Sequence, residues 1–245
     1  VFLDDDALPD LAIASVSNGT IDVLRNIGDG TFFTTGIVDL GASSRITSIK
    51  AADLDRDGDG DVVAVDRAND QVWVLFNSTG INLTGPDDLI IPVGEQPIDL
   101  EIGDLDGNGL VDLAVAHRGP RAASVMAGLD VGPGFVTRIL NIGGGSFSAP
   151  SVLDSGVELN RGIALTDSDG DGDLDLTVFS NPAVPTTRAL GEGQEASVFL
   201  FNVDLEEVAT AFDVLDSNLV TRSGRGDGSF ESLAFIPVEQ FMGVG

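Results

Sequence analysis

An all-β fold of repeated four-stranded antiparallel sheets is predicted by three features of the sequence. An acidic loop recurs along the chain, each copy runs into a short apolar segment, and helical periodicity is almost absent. The loops read DLDRDGDGD at 53–61, DLDGNGLVD at 104–112, DSDGDGDLD at 167–175 and, in a degenerate copy, FLDDDALPD at 2–10. Their last acidic residues are Asp10, Asp61, Asp112 and Asp175, spaced by 51, 51 and 63 residues. Two equal spacings indicate a structural repeat, lengthened by an insertion in the third unit.

The segments that follow the loops, DLAIASV, DVVAVD, DLAVAH and DLTVFS, are rich in Val, Ile, Leu and Ala. They are short enough for strands, and apolar residues on both alternating faces predict burial on both sides. A second strand is expected at 21–26, 71–77 and 197–202, and Asn18-Gly19 marks the turn of the first hairpin. A Gly-rich turn then precedes an aromatic residue in NIGDGTF (26–32), NIGGGSF (141–147) and GRGDGSF (224–230). The third unit carries about 13 extra residues near 117–135, and the fourth carries more across 181–224, where VDLEEVATAF is a short helix or an added strand.

Doubly buried sheets repeating roughly every 50 residues fit the blades of a β-propeller, whereas a parallel β-helix has much shorter repeats. The prediction is a single β-propeller repeat region over 1–245, with units at approximately 2–52, 53–103, 104–166 and 167–245. The chain starts inside a loop and closes on EQFMGVG, where Met242 and Val244 match the run-up to a further loop. It is therefore expected to be about four blades of a larger propeller.

Composition narrows the function. With 245 residues, 42% hydrophobic, the chain can bury a substantial core despite a formal charge of −28. No apolar run reaches the 18 or so residues of a membrane-spanning helix, so no membrane insertion is expected. Absence of cysteine rules out disulfides, thiolate nucleophiles and zinc–thiolate sites. The acidity argues against nucleic acid, whose phosphates it would repel. Lys50 is the only lysine among 12 basic residues, a balance that suits a secreted protein in a salty medium and equally serves solubility.

The acidic loop leading into DLAVA-type strands, with NxGxGxF further on, resembles the FG-GAP and VCBS repeats of integrin alpha-subunit propellers and many secreted bacterial proteins. The resemblance spans nearly the whole chain and is weakest in the first loop. It implies calcium binding in an extracellular or cell-surface module.

The residues themselves support calcium. In D-x-D-x-[DN]-G-x-x-D a tight loop turns side chains one, three and five inward, with the position-seven carbonyl nearby. Glycine at six permits the turn and the last aspartate closes the set. Six or seven hard oxygens suit calcium better than magnesium, which demands stricter octahedral geometry. An EF-hand closes with glutamate at twelve between helices, whereas here strands follow. The second loop offers Asp53, Asp55, Asp57, the Asp59 carbonyl and Asp61. The third offers Asp104, Asp106, Asn108, the Leu110 carbonyl and Asp112. The fourth offers Asp167, Asp169, Asp171, the Asp173 carbonyl and Asp175. The first keeps Asp4, Asp6 and Asp10, but Phe2 replaces the leading aspartate and Ala7 the glycine, so a weak or empty site is expected. Together the four loops hold 17 of the 40 acidic residues, a crowding that a dication would offset.

Other signals have simpler readings. Arg225-Gly226-Asp227 spells an integrin-binding tripeptide but aligns with the Gly-rich turn of the first unit. Asn18, Asn77 and Asn82 open N-x-[ST] sequons that read as turns. His117, the only histidine, ends a strand, and Trp73 reads as core. The expected function is a secreted, calcium-binding adhesion or binding module. Calcium would be structural, the ligand an unidentified protein or carbohydrate, and no enzymatic activity is expected. The alternatives are a propeller-based carbohydrate lyase or hydrolase, since abundant aspartates leave paired carboxylates available, and a structural spacer of a surface protein.

Overall fold

The computed structural model describes residues 2–4, 6, 8–77, 83, 88–119, 134–154, 160–167, 172–180, 218–222 and 234–235. Every regular element among them is a strand. The first sheet contains β1 (Leu11–Ser15), β2 (Thr20–Asn26) and β3 (Phe32–Asp39), in that order. The second is a meander of β4 (Ile46–Ala52), β5 (Asp61–Asp66), β6 (Gln71–Leu75) and β7 (Leu89–Pro92). The third begins with β8 (Pro97–Gly103), β9 (Asp112–His117) and β10 (Phe135–Ile139). A small hairpin, β11 (Asn141–Gly143) and β12 (Ser146–Phe147), precedes its fourth strand, β13 (Ser151–Asp154). The last sheet is β14 (Asn160–Thr166), β15 (Asp175–Ser180), β16 (Asn218–Arg222) and β17 (Ala234–Phe235). All pairings are antiparallel.

The second, third and fourth sheets each begin one strand before their acidic loop, because the loop is a turn that pairs its two flanking strands. Ala52 thus faces Asp61, and Gly103 faces Asp112. The strand preceding residue 53 therefore joins the second sheet, and the first sheet has three strands among the described residues. The strand expected at 197–202 lies outside the described residues, and β15 pairs with Asn218–Arg222. The long fourth-unit insertion separates β15 from its partner, so strand-like sequence alone did not identify it.

The core lies between sheets. In β5 the alternation of side chains sends Val62 and Ala64 toward the first sheet, where they join Ile21, Val23 and Val38. Val63 and Val65 point the other way and pack with Leu100, Leu113 and Val115 of the third sheet. In β9, Ala114 and Ala116 face the fourth sheet beside Ile163, Leu176 and Val178. Each valine or leucine so buried contributes roughly 1.5–3 kcal/mol. In β1 the equivalent outward positions, Leu11 and Ile13, are 42% and 49% exposed.

Candidate metal-binding loops

Residues 53–60 connect β4 to β5, 104–111 connect β8 to β9, and 167–174 connect β14 to β15. At position six Gly58, Gly109 and Gly172 adopt φ of 102°, 79° and 95°, which a residue with a Cβ reaches only at a cost. This bend brings the glycine N–H to the leading carboxylate. Gly58 N donates to Asp53 Oδ2 at 3.2 Å, Gly109 N to Asp104 Oδ2 at 2.8 Å, and Gly172 N to Asp167 Oδ2 at 3.1 Å.

The folded loops converge their carboxylates. One oxygen from each of Asp53, Asp55 and Asp61 lies within 4.8 Å of the others, and Asp104, Asp106 and Asp112 form a matching group. Two oxygens bound to one calcium at 2.3–2.6 Å stand at most about 5 Å apart, so both groups fit that ion. None of these six carboxylates forms an ion pair among the described residues. Asp57 Oδ1 accepts from Asp59 N at 2.9 Å, and Asn108 Oδ1 accepts from Leu110 N at 2.7 Å. Asp59 and Leu110, expected to offer carbonyls, add no side chain to either group. In the fourth loop Asp167, Asp173 and Asp175 are placed, while Asp169 and Asp171 lie outside the described residues.

Burial, with like-charge crowding behind it, raises the carboxyl pKa values of Asp55, Asp61 and Asp112. Burial pushes Asp61 up to about 6 against the hydrogen bonds from Asn77 and Leu54, and the charges of Asp55 and Asp57 add to the rise. Asp112 is raised for the same reason, burial first. Asp55 is raised by burial and by the like charges of Asp57 and Asp53. A bound dication would reverse this pattern by favouring the ionised forms.

The closing aspartate also has a structural task. Asp61 Oδ2 accepts from Leu54 N at 2.7 Å and Oδ1 from Asn77 N at 2.9 Å. Asp112 repeats this with Leu105 N at 2.8 Å and Asn141 N at 2.7 Å. Asp10 does the same with Leu3 N and Asn26 N, both at 2.9 Å. The asparagine then links neighbouring sheets: Asn77 Nδ2 donates to Leu3 O at 2.8 Å, and Asn141 Nδ2 to Leu54 O at 2.7 Å. Leu3, Leu54 and Leu105 are themselves buried between sheets. Sequence reasoning missed these residues. The available signal was the recurrence of asparagine at 26, 77, 141 and 202, after the segments LR, LF, IL and LF.

The first loop is arranged differently. Arg25 Nε pairs with Asp4 Oδ2 at 2.6 Å, and its Nη2 with Asp6 Oδ2 at 3.0 Å. The hydrogen bond from Leu8 N, with help from Arg25, holds Asp6 below the ordinary carboxylate range. The residues preceding the equivalent asparagines are Phe76 and Leu140, neither of them basic.

The remaining signals fall as follows. His117 is buried, stacked on Phe135 with ring centroids 4.1 Å apart, and its ring nitrogens meet Glu95 O and Thr137 Oγ1. Burial pushes its pKa down to about 4. Trp73 packs against the core between the first two sheets. Asn18 is exposed at a turn, and Asn77 is buried with its amide donated to Leu3. Asn82 and residues 225–227 lie outside the described residues.

The model of the FG-GAP-like repeat matches this chain twice, at residues 3–64 and 53–115. Each match runs from one acidic loop through the strand after the next. No curated protein matches the chain. Among solved structures, a chain of the Tc holotoxin pore of Photorhabdus luminescens is similar at 18% identity and a TM-score of 0.40. The similarity covers 70% of this chain, which spans 8% of the length of that one.

Proposed function

We propose that this chain, whose residues 3–115 match the FG-GAP-like repeat, is a calcium-stabilised extracellular binding or adhesion module. The observation that carries the reading is the paired convergence of Asp53, Asp55 and Asp61, and of Asp104, Asp106 and Asp112, without a basic partner. Asp57 and Asn108 complete each set from position five, and the Asp59 and Leu110 carbonyls from position seven. By its sequence pattern the fourth loop is read as a third such site, with Asp167, Asp169, Asp171, Asp173 and Asp175 as its ligands. Calcium supplies charge neutralisation and a fixed loop geometry, and the protein supplies the hard oxygens.

The sheets are read as consecutive blades of a larger propeller over residues 1–245. The contacts of β4 with β8 and of β8 with β14, which place the first strands of successive sheets side by side, support this reading. So does the exposed apolar face of β1, the side on which a further blade would pack. The module is read as non-enzymatic, a view supported by the burial of the sole histidine. Its partner is a protein or carbohydrate met by the long segments near 117–135 and 181–224.

The test is thermal unfolding in EDTA, in calcium, and in sodium chloride of matched ionic strength. At roughly 10 mM calcium, a site with a dissociation constant near 0.1 mM adds about 2.7 kcal/mol. Calcium is expected to raise the midpoint well beyond sodium, which screens charge but does not coordinate. Equal effects of the two salts would reduce the loops to acidic turns.

A further inference from the structure

The first loop faces the same electrostatic problem as the others, with Asp4 and Asp6 at loop positions three and five and the buried Asp10 at nine. It lacks the leading aspartate and the glycine of the intact copies. Instead one guanidinium spans two carboxylates, with Nε on Asp4 at 2.6 Å and Nη2 on Asp6 at 3.0 Å. Asp4 is mostly buried, at 11% side-chain exposure, so this is not two solvated side chains meeting by chance. The backbone bonds of the loop are kept: Asp6 N donates to Asp4 Oδ1 at 3.0 Å and Leu8 N to Asp6 Oδ1 at 2.9 Å.

We propose that Arg25 is a built-in cation that takes the place of calcium in the first loop, making that loop metal-independent. The planar guanidinium satisfies two carboxylates from a fixed position on β2 and stays charged at any physiological pH. It supplies one positive charge where a dication supplies two. That suits a loop in which Phe2 stands in place of the leading aspartate. Arg25 precedes Asn26, whose backbone N–H binds Asp10, so the strand that closes the loop also delivers the cation. In the second loop the same place is held by Phe76, buried between sheets, which leaves Asp53, Asp55 and Asp61 to an external ion. The inference rests on the calcium reading of the second and third loops, and the experiment separates the two.

Calcium stoichiometry is measured by calorimetry on the full chain and on two rebuilt forms. One carries Phe2→Asp and Ala7→Gly, and the other adds Arg25→Gln. The expected result is no added site in the first form, or one at least about tenfold weaker, and one added calcium per chain in the second. Equal gain of a full site in both forms overturns the proposal, and so does no gain in the second while the other loops still bind. If the unaltered protein binds no calcium, the calcium reading fails instead. Arg25 is then judged in EDTA alone: Arg25→Gln lowers the unfolding midpoint and Arg25→Lys recovers part of the loss. An unchanged midpoint for Arg25→Gln overturns the proposal in that case.

Discussion

The first and second acidic loops share a frame and differ in what neutralises it. In both, a buried aspartate gathers the backbone N–H of a buried leucine and of an asparagine at or just after the end of a strand. Around that frame the second loop converges three carboxylates with no basic partner, while the first clamps two of its own on Arg25. Their acidities differ for separate reasons: burial raises Asp61 to about 6, whereas the Leu8 N–H, with help from Arg25, lowers Asp6. Closing a hairpin turn and holding an ion are therefore separable tasks: the turn needs the last aspartate, and the ion needs the leading ones.

The largest expected effect comes from removing the closing carboxylate. Asp61→Ala strands two buried N–H donors, each costing about 1–3 kcal/mol, so a loss of about 2–5 kcal/mol is expected in EDTA. Asp10→Ala should cost a similar amount there, because its bonds are the same. With calcium present the two diverge: Asp61→Ala also loses the metal contribution, and Asp10→Ala does not. Chemical denaturation of both variants with and without calcium checks this. A calcium-dependent penalty for Asp10→Ala would erase the distinction between the loops.

A second comparison uses pH in metal-free protein. Asp61 has a folded pKa above its unfolded value, so its contribution to stability is present below about pH 4 and lost as pH rises through about 6. His117 has a folded pKa below its unfolded value of 6.5, so stability falls as pH drops from there through about 4. Each is worth on the order of 3 kcal/mol, and within the shared window they oppose. Asp112 and Asp55, also raised, act in the same direction as Asp61. Asp61→Asn, which keeps the size but not the titration, should shift the slope toward loss of stability on acidification relative to the unaltered protein. Unfolding midpoints across that range decide the matter, and an unchanged slope in the variant would count against the raised Asp61.

The smallest effect concerns a link away from the loops. Lys50 Nζ meets Glu101 Oε1 at 2.7 Å, joining equivalent positions of adjacent repeats. Both side chains are partly exposed, so Lys50→Ala should cost about 0–1 kcal/mol and less at high salt.

Legibility from sequence followed locality. The strands at 61–66 and 112–117 were readable because every residue there is buried, leaving an uninterrupted apolar run after the aspartate. The loop carboxylates were readable because nine consecutive residues carry their geometry. Arg25 was not, since it meets Asp6 from 19 residues away and only through the course of β2. The partner of β15 was hidden for a related reason: a long segment of sequence separates the two strands, and sequence gives no register across it. The asparagines were visible as a recurrence, but their role depends on which carbonyl of the preceding repeat they reach.

Because β5 contributes Val62 and Ala64 to one core and Val63 and Val65 to the next, its length is fixed by two neighbours at once. Adding or deleting a single residue there would exchange the two sets and present each side chain to the wrong sheet. Evolution of such an array is thus channelled to places where no strand answers to two sides. The extra sequence of the third and fourth units lies in those places, between β9 and β10 and between β15 and β16. In this chain the connections differ in length while β5, β9 and β15 each keep six residues.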